Sequence, residues 1–295
     1  MKAAPFAHHA PASVEEALAL LAEHGDTAKV LAGGQSLLPM LALRLAIFDH
    51  LVDLGRIPEL RSIERRDGTL RIGAGTTQAT IERSTEVADA VPLLARATPL
   101  IGHFQIRNRG TIGGALAHAD PAAESPAVAL TLDATFEARS RRGSRTIPAA
   151  GFFAGTWTTD LAEDEVLTAV SFPIWDGRCG YAIEELARRH GDFAIAGATV
   201  AIQVSDAGRI QRCGIGLIGL GSTPERGVEA ERAVVGETLS DLDPDEVGRT
   251  AVAALNSVPV DLHGSAAYRR RVGAAMVSRA WRRAAEEALR GPADG

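Results

Sequence analysis

Two glycine pairs, Gly33-Gly34 and Gly113-Gly114, constrain this chain more than any other feature. Each is followed closely by a small or hydroxyl-bearing residue. Without a Cβ, glycine lets the backbone approach a ligand, and consecutive N–H groups of such a turn can cradle phosphate oxygens. The first pair leads through Ser36 into the apolar run Leu37, Leu38, Met40, Leu41, Leu43 and Leu45, and a helix start favours an anion. A dinucleotide pyrophosphate has oxygens on both phosphates, so two converging turns fit it better than one. A lone Gly-Gly pair is better explained by a tight turn; two pairs in one α+β domain weigh evenly between the two explanations. Neither pair matches Gly-x-Gly-x-x-Gly or Gly-x-x-x-x-Gly-Lys-Ser/Thr, which argues against a Rossmann fingerprint and a P-loop.

The surrounding pattern mixes helices and strands. Ser13 and Glu16 make a capping box for a helix through Val14, Ala17, Leu18 and Leu21, ended by Gly25. Lys29–Ala32 is long enough for a strand only, and the helix expected after it has Ser36 as cap and Pro39 in its first turn. Strands are expected at His50–Leu54 and Leu70–Ala74, with helices at Thr76–Ser84 and Val87–Thr98. After Arg107–Gly114, Ser125 caps an expected helix at Pro126–Leu132. Ala134–Ala138 then reads as a strand, Arg139–Arg145 as a polar turn, and Val166–Phe172 as another strand. Pro, Gly and Asp cluster at Pro173–Gly180, which predicts a domain boundary. Beyond it, Thr199–Val204 and Ile210–Leu217 flank Asp206-Ala207-Gly208, a hairpin signal. Helices are expected at Glu225–Val235, Pro244–Leu255 (capped by Asp243) and Ser265–Leu289.

Composition excludes several function classes. The 295 residues suggest two domains. Only 2 cysteines, Cys179 and Cys213, rule out a disulfide framework, a four-cysteine zinc site and a cysteine-ligated iron–sulfur cluster within the chain. Aromatics at 4% and a net charge of −6 argue against nucleic acid as the main partner. No segment approaches the roughly 18 apolar residues of a membrane span, and the N-terminal residues lack a signal-peptide core, so a cytoplasmic location is expected.

At the glycine pairs the sequence resembles a known family. Ala32-Gly33-Gly34-Gln35-Ser36-Leu37-Leu38-Pro39, and Arg107-Asn108-Arg109-Gly110-Thr111-Ile112-Gly113-Gly114 continued by Ala119-Asp120-Pro121-Ala122, look like the two flavin motifs of the FAD-binding medium subunits of molybdenum hydroxylases. That family includes carbon monoxide, nicotine, caffeine and xanthine-dehydrogenase-like enzymes. The resemblance takes in Phe6…Pro11-x-Ser13-x-Glu15-Glu16-Ala17, Phe152-Phe153-x-Gly155-Thr156 and Gly191-Asp192-Phe193-Ala194, and so covers nearly the whole chain.

The resemblance implies an α+β protein. Residues 1–176 would form an FAD-binding fold of the vanillyl-alcohol-oxidase (PCMH) type, in subdomains of about 1–55 and 56–176. Residues 180–290 would form a three-stranded antiparallel sheet with a helical bundle. Carried over by motif, Ala32, Gly33, Gly34, Gln35, Ser36 and Leu37 contact the pyrophosphate and neighbouring ribose, and Thr111, Ile112, Gly113, Gly114 and Ala115 form a second clamp. Leu100 and Ile101 cover one isoalloxazine face, Asp120 lies near the flavin end, and Glu124 is a further candidate. Three positions depart from relatives. Gln35 stands where some, including carbon monoxide dehydrogenases, have histidine, which disfavours carbon monoxide as substrate; Glu185 stands where several have lysine; Ala117 replaces a serine.

Other candidates read as ordinary structure. His118-x-Asp120 lacks a third ligand, His8-His9 is expected at the surface, and no metal site is expected. The acidic run Asp160, Glu163, Asp164 and Glu165 reads as a solvated turn, and the arginines at 269–271, 279, 282 and 283 as an exposed or docking face of the last helix. No nucleophile–base set emerges, so no catalytic side chain is expected; a flavin would carry the redox chemistry. The leading expectation is therefore the flavin subunit of a heterotrimer. Molybdopterin would sit on a large subunit and 2Fe–2S clusters on a small one, with the whole doubled into a dimer of heterotrimers. A self-sufficient flavoprotein oxidase of the same fold, and a scaffold with a decayed flavin site, are the alternatives.

Overall fold

The computed structural model describes residues 2–290. The first layer comprises β1 (Ala7–His9), α1 (Val14–His24), β2 (Ala28–Leu31), α2 (Leu37–Ala42) and β3 (His50–Asp53). Its sheet is parallel, in the order β1-β3-β2. Ser13 caps α1 as expected, its hydroxyl accepting from the Glu16 N–H at 3.2 Å. The apolar stripe of α1 (Val14, Ala17, Leu18, Leu21) packs on Ala28, Val52 and Leu54. On the other face, Leu41 of α2 meets Leu31 and Leu51. Ser36 is not a side-chain cap: its backbone is already α-helical and its hydroxyl makes no capping bond. The helix stops at Ala42, and Leu45 beyond it is 71% exposed.

The second layer runs through β4 (Ile63–Arg66), β5 (Thr69–Gly73), α3 (Gln78–Glu82), α4 (Thr85–Ala90), α5 (Pro92–Ala97), α6 (Phe104–Arg107), α7 (Ile112–His118) and α8 (Glu124–Thr131). It continues with β6 (Thr135–Ser140), β7 (Gly143–Pro148), α9 (Ala149–Phe152), β8 (Phe153–Gly155), β9 (Thr158–Thr159) and β10 (Val166–Pro173). Its five-stranded antiparallel sheet has the order β4-β5-β10-β6-β7, and Leu70, Ile72, Phe136 and Phe172 carry its buried face.

Three sequence readings change here. The helix expected over Val87–Thr98 is two, because Pro92 has no N–H to continue α4 and instead begins α5. Ser125 lies inside α8, whose cap position is Ala123, without a side-chain bond. The expected polar turn Arg139–Arg145 is mostly strand, with only Arg141-Arg142 between β6 and β7. Its arginines hold the acidic run: Arg142 pairs with Asp164, and Arg145 pairs with Asp160 at 2.7 Å and with Glu165 at 2.8 Å. Glu165 is consequently buried rather than solvated.

The third layer contains β11 (Arg178–Leu186), β12 (Ala196–Val204), β13 (Ile210–Ile218), β14 (Glu225–Arg226), α10 (Val228–Val234), α11 (Pro244–Ala253) and α12 (Ala266–Arg290). Three long antiparallel strands form the expected sheet, and the two-residue β14 adds a short edge. The helix expected from Glu225 starts at Val228, since Glu225 and Arg226 pair with β13. Alternation along β12 decides the packing. Ala198, Val200 and Ile202 face the core under α11 and α12, which also buries Trp281, while Ala201 joins the core of the second layer.

α8 rides directly on β13. A Cβ on Gly214 would stand 3.0 Å from the Thr131 carbonyl carbon, and one on Gly216 would stand 2.6 Å from the Ala127 oxygen. The buried hydroxyls of Thr131 and Thr199 bond at 2.6 Å and join α8 to the neighbouring β12 as well. Arg96 makes a bidentate 2.6 Å pair with Glu287, whose carboxylate also accepts the Tyr181 N–H at 2.9 Å. Arg269, expected on an exposed face, is only 4% exposed and pairs with Asp261 at 2.6 Å.

Candidate functional site

The two glycine pairs meet. A Cβ on Gly33 would lie 2.7 Å from the Gly110 Cα and closer still to the Arg109 carbonyl oxygen, so the first turn lies against the second motif's backbone. A Cβ on Gly114 would lie 3.2 Å from that of Ala32 and 2.9 Å from the Thr111 hydroxyl. Gly113 is held equally close to the residue that follows β5: its N–H donates to the Ala74 carbonyl at 2.9 Å, and a Cβ would sit 2.7 Å from that oxygen.

The two turns use their backbone differently. In the second, the N–H groups of Ile112, Gly113, Gly114 and Ala115 donate to Thr76 O, Ala74 O, Thr111 Oγ1 and Thr111 O at 2.9–3.0 Å. Thr111 thereby caps α7, a helix that the expected turn-like reading of this segment missed. In the first, the N–H groups of Gly33, Gly34, Gln35, Ser36 and Leu37 have no partner among the described residues. Gly34 turns this segment at φ +73°, and the Gln35 amide folds back onto the Gly33 carbonyl at 3.1 Å. The result is a row of unspent donors backed by a glycine wall, which suits a phosphate chain and leaves no room for side chains.

The other expected residues extend from this junction. Ile101 and Leu100 are half-buried. Arg107, part of the second motif, binds their segment: it donates to the Ile101 carbonyl at 3.1 Å and pairs with Glu82 at 2.8 Å. Its position in the arginine-rich motif was the signal for it. α7 carries the chain about 10 Å from Thr111 towards Asp120. Asp120 accepts from the Ala122 N–H at 2.8 Å and from the Trp157 indole at 3.4 Å. His118 stacks on Trp157, and burial holds its pKa down. Asp120, Pro121 and Ala122 line a cavity of about 460 Å³ with Gly191, Asp192, Phe193 and Ala194 of the third layer.

Glu124 is the first residue of α8, where burial and then the Glu185 carboxylate push its pKa up to about 8. Burial likewise raises Glu185 to about 7, and its Oε2 is buried without a hydrogen-bond partner. A raised carboxyl pKa means that the folded chain binds the proton more tightly than the unfolded chain. The contribution of these two groups to stability is therefore greatest below about pH 4.5 and falls as pH rises towards 8. Glu124→Gln is expected to flatten that fall and to stabilise the chain by roughly 3 kcal/mol near pH 8. Thermal melts of both proteins from pH 5 to 8 check this; parallel curves would remove Glu124 as the source.

The paired glycine turns, the donor row and the adjoining cavity define a flavoprotein of the two-subdomain FAD-binding kind. Residues 4–175 match the FAD binding domain in molybdopterin dehydrogenase, and residues 181–284 match the CO dehydrogenase flavoprotein C-terminal domain. The chain belongs to the FAD-binding medium subunits of the molybdenum hydroxylases. It is 43% identical to the 6-hydroxypseudooxynicotine dehydrogenase complex subunit alpha of Paenarthrobacter nicotinovorans, over 95% of this chain and 94% of that one. It is 40% identical to the carbon monoxide dehydrogenase medium chain of Hydrogenophaga pseudoflava, over 93% of this chain and 95% of that one. One chain of the solved carbon monoxide dehydrogenase of Hydrogenophaga pseudoflava superposes with a TM-score of 0.94 at 41% identity, covering 97% of this chain and 99% of that chain. Among the described residues, no helix is long and apolar enough to cross a membrane.

Proposed function

We propose that this chain links an iron–sulfur small subunit to an external electron acceptor, while the organic substrate is oxidised at molybdopterin on a large subunit. When bound, FAD supplies reversible uptake of one or two electrons, which suits a link between clusters and a two-electron acceptor. The observation that carries this reading is the row of unspent N–H donors at Gly33–Leu37, set against the glycine wall of the second motif. In this reading Ala32, Gly33, Gly34, Gln35, Ser36 and Leu37 hold the pyrophosphate and ribose. Thr111, Ile112, Gly113, Gly114 and Ala115 form the opposite wall, fixed by their own hydrogen bonds. Ile101 and Leu100 flank the isoalloxazine, excluding water from one side, and Asp120 and Glu124 stand at its far end.

The proposed division of labour follows the chain: residues 1–176, as subdomains of about 1–55 and 56–176, cradle the cofactor, and residues 180–290 close the cavity. Leu45 and Ile47 on the first layer, and Val260 and Leu262 on the third, are 62–101% exposed, which supports docking of partner subunits and a dimer of heterotrimers. Both cysteines are free, in keeping with a reducing cytoplasm. Purification of the native complex is expected to give three subunits, with molybdenum, iron and one FAD per copy of this chain. A lone yellow chain that oxidises an organic substrate unaided would overturn the reading. Gly114→Val is expected to lose FAD, because its side chain would drive Thr111 and Ala32 apart; full flavin content in that variant would refute the second wall.

A further inference from the structure

We propose that His9, His24 and His50 form a three-imidazole site for a divalent cation of the zinc class, which fastens the first strand to the rest of the first layer. Of the two histidines expected at the surface, His8 is exposed, whereas His9 is partly covered. The residues come from three elements, the last residue of β1, the last of α1 and the first of β3. The parallel register pairs Ala7 with His50 and His9 with Val52, so His9 and His50 share the face that α1 covers. α1 ends over them with His24, at a helix C-terminus, where the dipole favours a positive charge.

One ring nitrogen from each histidine lies within 4.8 Å of the other two. His9 Nε2 and His50 Nδ1 are 3.0 Å apart, and the His24 and His50 rings stack at 3.7 Å. Half-buried imidazoles that serve only packing ordinarily bond to a carbonyl or carboxylate. Here, among the described residues, the His24 ring has no hydrogen bond, and His9 and His50 bond only to each other. Zinc–nitrogen bonds of about 2.0–2.1 Å place tetrahedral ligands about 3.3 Å apart, so closure needs movements of about 1.5 Å. Rotation of the half-exposed His24 ring out of its stack supplies most of that. Three histidines leave the fourth position to water, and the open side admits the ion from solvent. The site lies away from the donor row and uses none of its residues, so it stands independently of the flavin reading.

The test uses the full-length chain, stripped with a chelator and titrated calorimetrically with zinc chloride. One equivalent is expected to bind, and the Tm to rise by about 5 °C at a free zinc concentration of about 100 times Kd. Cobalt(II) is expected to give visible d–d bands at the same stoichiometry. His24→Ala and His50→Gln should each weaken zinc binding by more than about 10-fold and remove the cobalt bands. His24→Gln is the second variant should His24→Ala fail to fold. Flavin content is expected to stay unchanged in all of them. Zinc affinity in the His24 variants equal to that of the unsubstituted chain would overturn the proposal. An equal loss on replacing the exposed His263 with alanine would overturn it as well, because binding would then be scattered surface chelation.

Discussion

Gly33→Ala is expected to leave this chain essentially free of flavin. The new methyl group would meet the Arg109 carbonyl and lie 2.7 Å from the Gly110 Cα, and both obstacles are backbone. A rotamer change cannot relieve such a contact, so the two turns must separate. Separation moves the Gly33–Leu37 donors away from the opposite wall, and the hydrogen bonds to a phosphate chain depend on that spacing. A loss of at least about 100-fold in FAD affinity follows, equivalent to about 2.8 kcal/mol. Overpacking adds a stability cost of about 1–3 kcal/mol. Gly151→Ala is the matched control, since a Cβ there meets nothing within 4 Å. Flavin absorbance per chain in purified Gly33→Ala, Gly151→Ala and unsubstituted protein decides the matter. Equal flavin in all three would show that the turns do not clamp the cofactor.

Gly214→Ala is expected to produce a large loss of stability. β13 is flanked by α8 on one face and by the α11–α12 layer on the other, and a Cβ at 214 would drive into the Thr131 carbonyl of α8. Moving α8 would stretch the Thr131–Thr199 hydroxyl bond and disturb Asp133, which holds Arg212 at 2.7 Å and also pairs with Arg226. A penalty of about 3 kcal/mol is in the range for an unrelieved core clash. At about 2–4 °C per kcal/mol, Tm should fall by roughly 6–12 °C. Because one hydrophobic core contains both Phe136 of the second layer and Ala201 of the third, the unsubstituted chain should melt in a single transition. Two separate transitions, with only the later one moved by Gly214→Ala, would contradict that shared core.

Local chemistry explains which elements were legible beforehand. The Ser13 cap and the stripe of α1 are short-range signals, as is the Asp206-Ala207-Gly208 reversal between β12 and β13. β4 was missed because Ile63-Glu64-Arg65-Arg66 is a polar edge strand with little alternation to see. β11 was hidden by the Pro- and Gly-rich stretch before it. α7 was hidden by its own glycines, which disfavour helix in isolation but are required here by the approach of Ala74. The acidic run and the arginines at 139–145 looked like two solvated stretches, since neither reveals that the other lies opposite.

The glycine motifs, through their resemblance to a known family, pointed to that family and its cofactor class, because such a motif depends on the order of a few adjacent residues. Two cysteines alone established that any iron–sulfur cluster must sit on another chain. Only the folded chain separated the two motifs by role: the first keeps its N–H groups unspent, and the second has committed its own to Ala74, Thr76 and Thr111. Only the fold, likewise, brought His9, His24 and His50 together and buried Glu124 beside Glu185. Those arrangements join residues up to 61 positions apart along the chain (Glu124 to Glu185), and their energies arise from burial and distance, which exist only once the layers have packed.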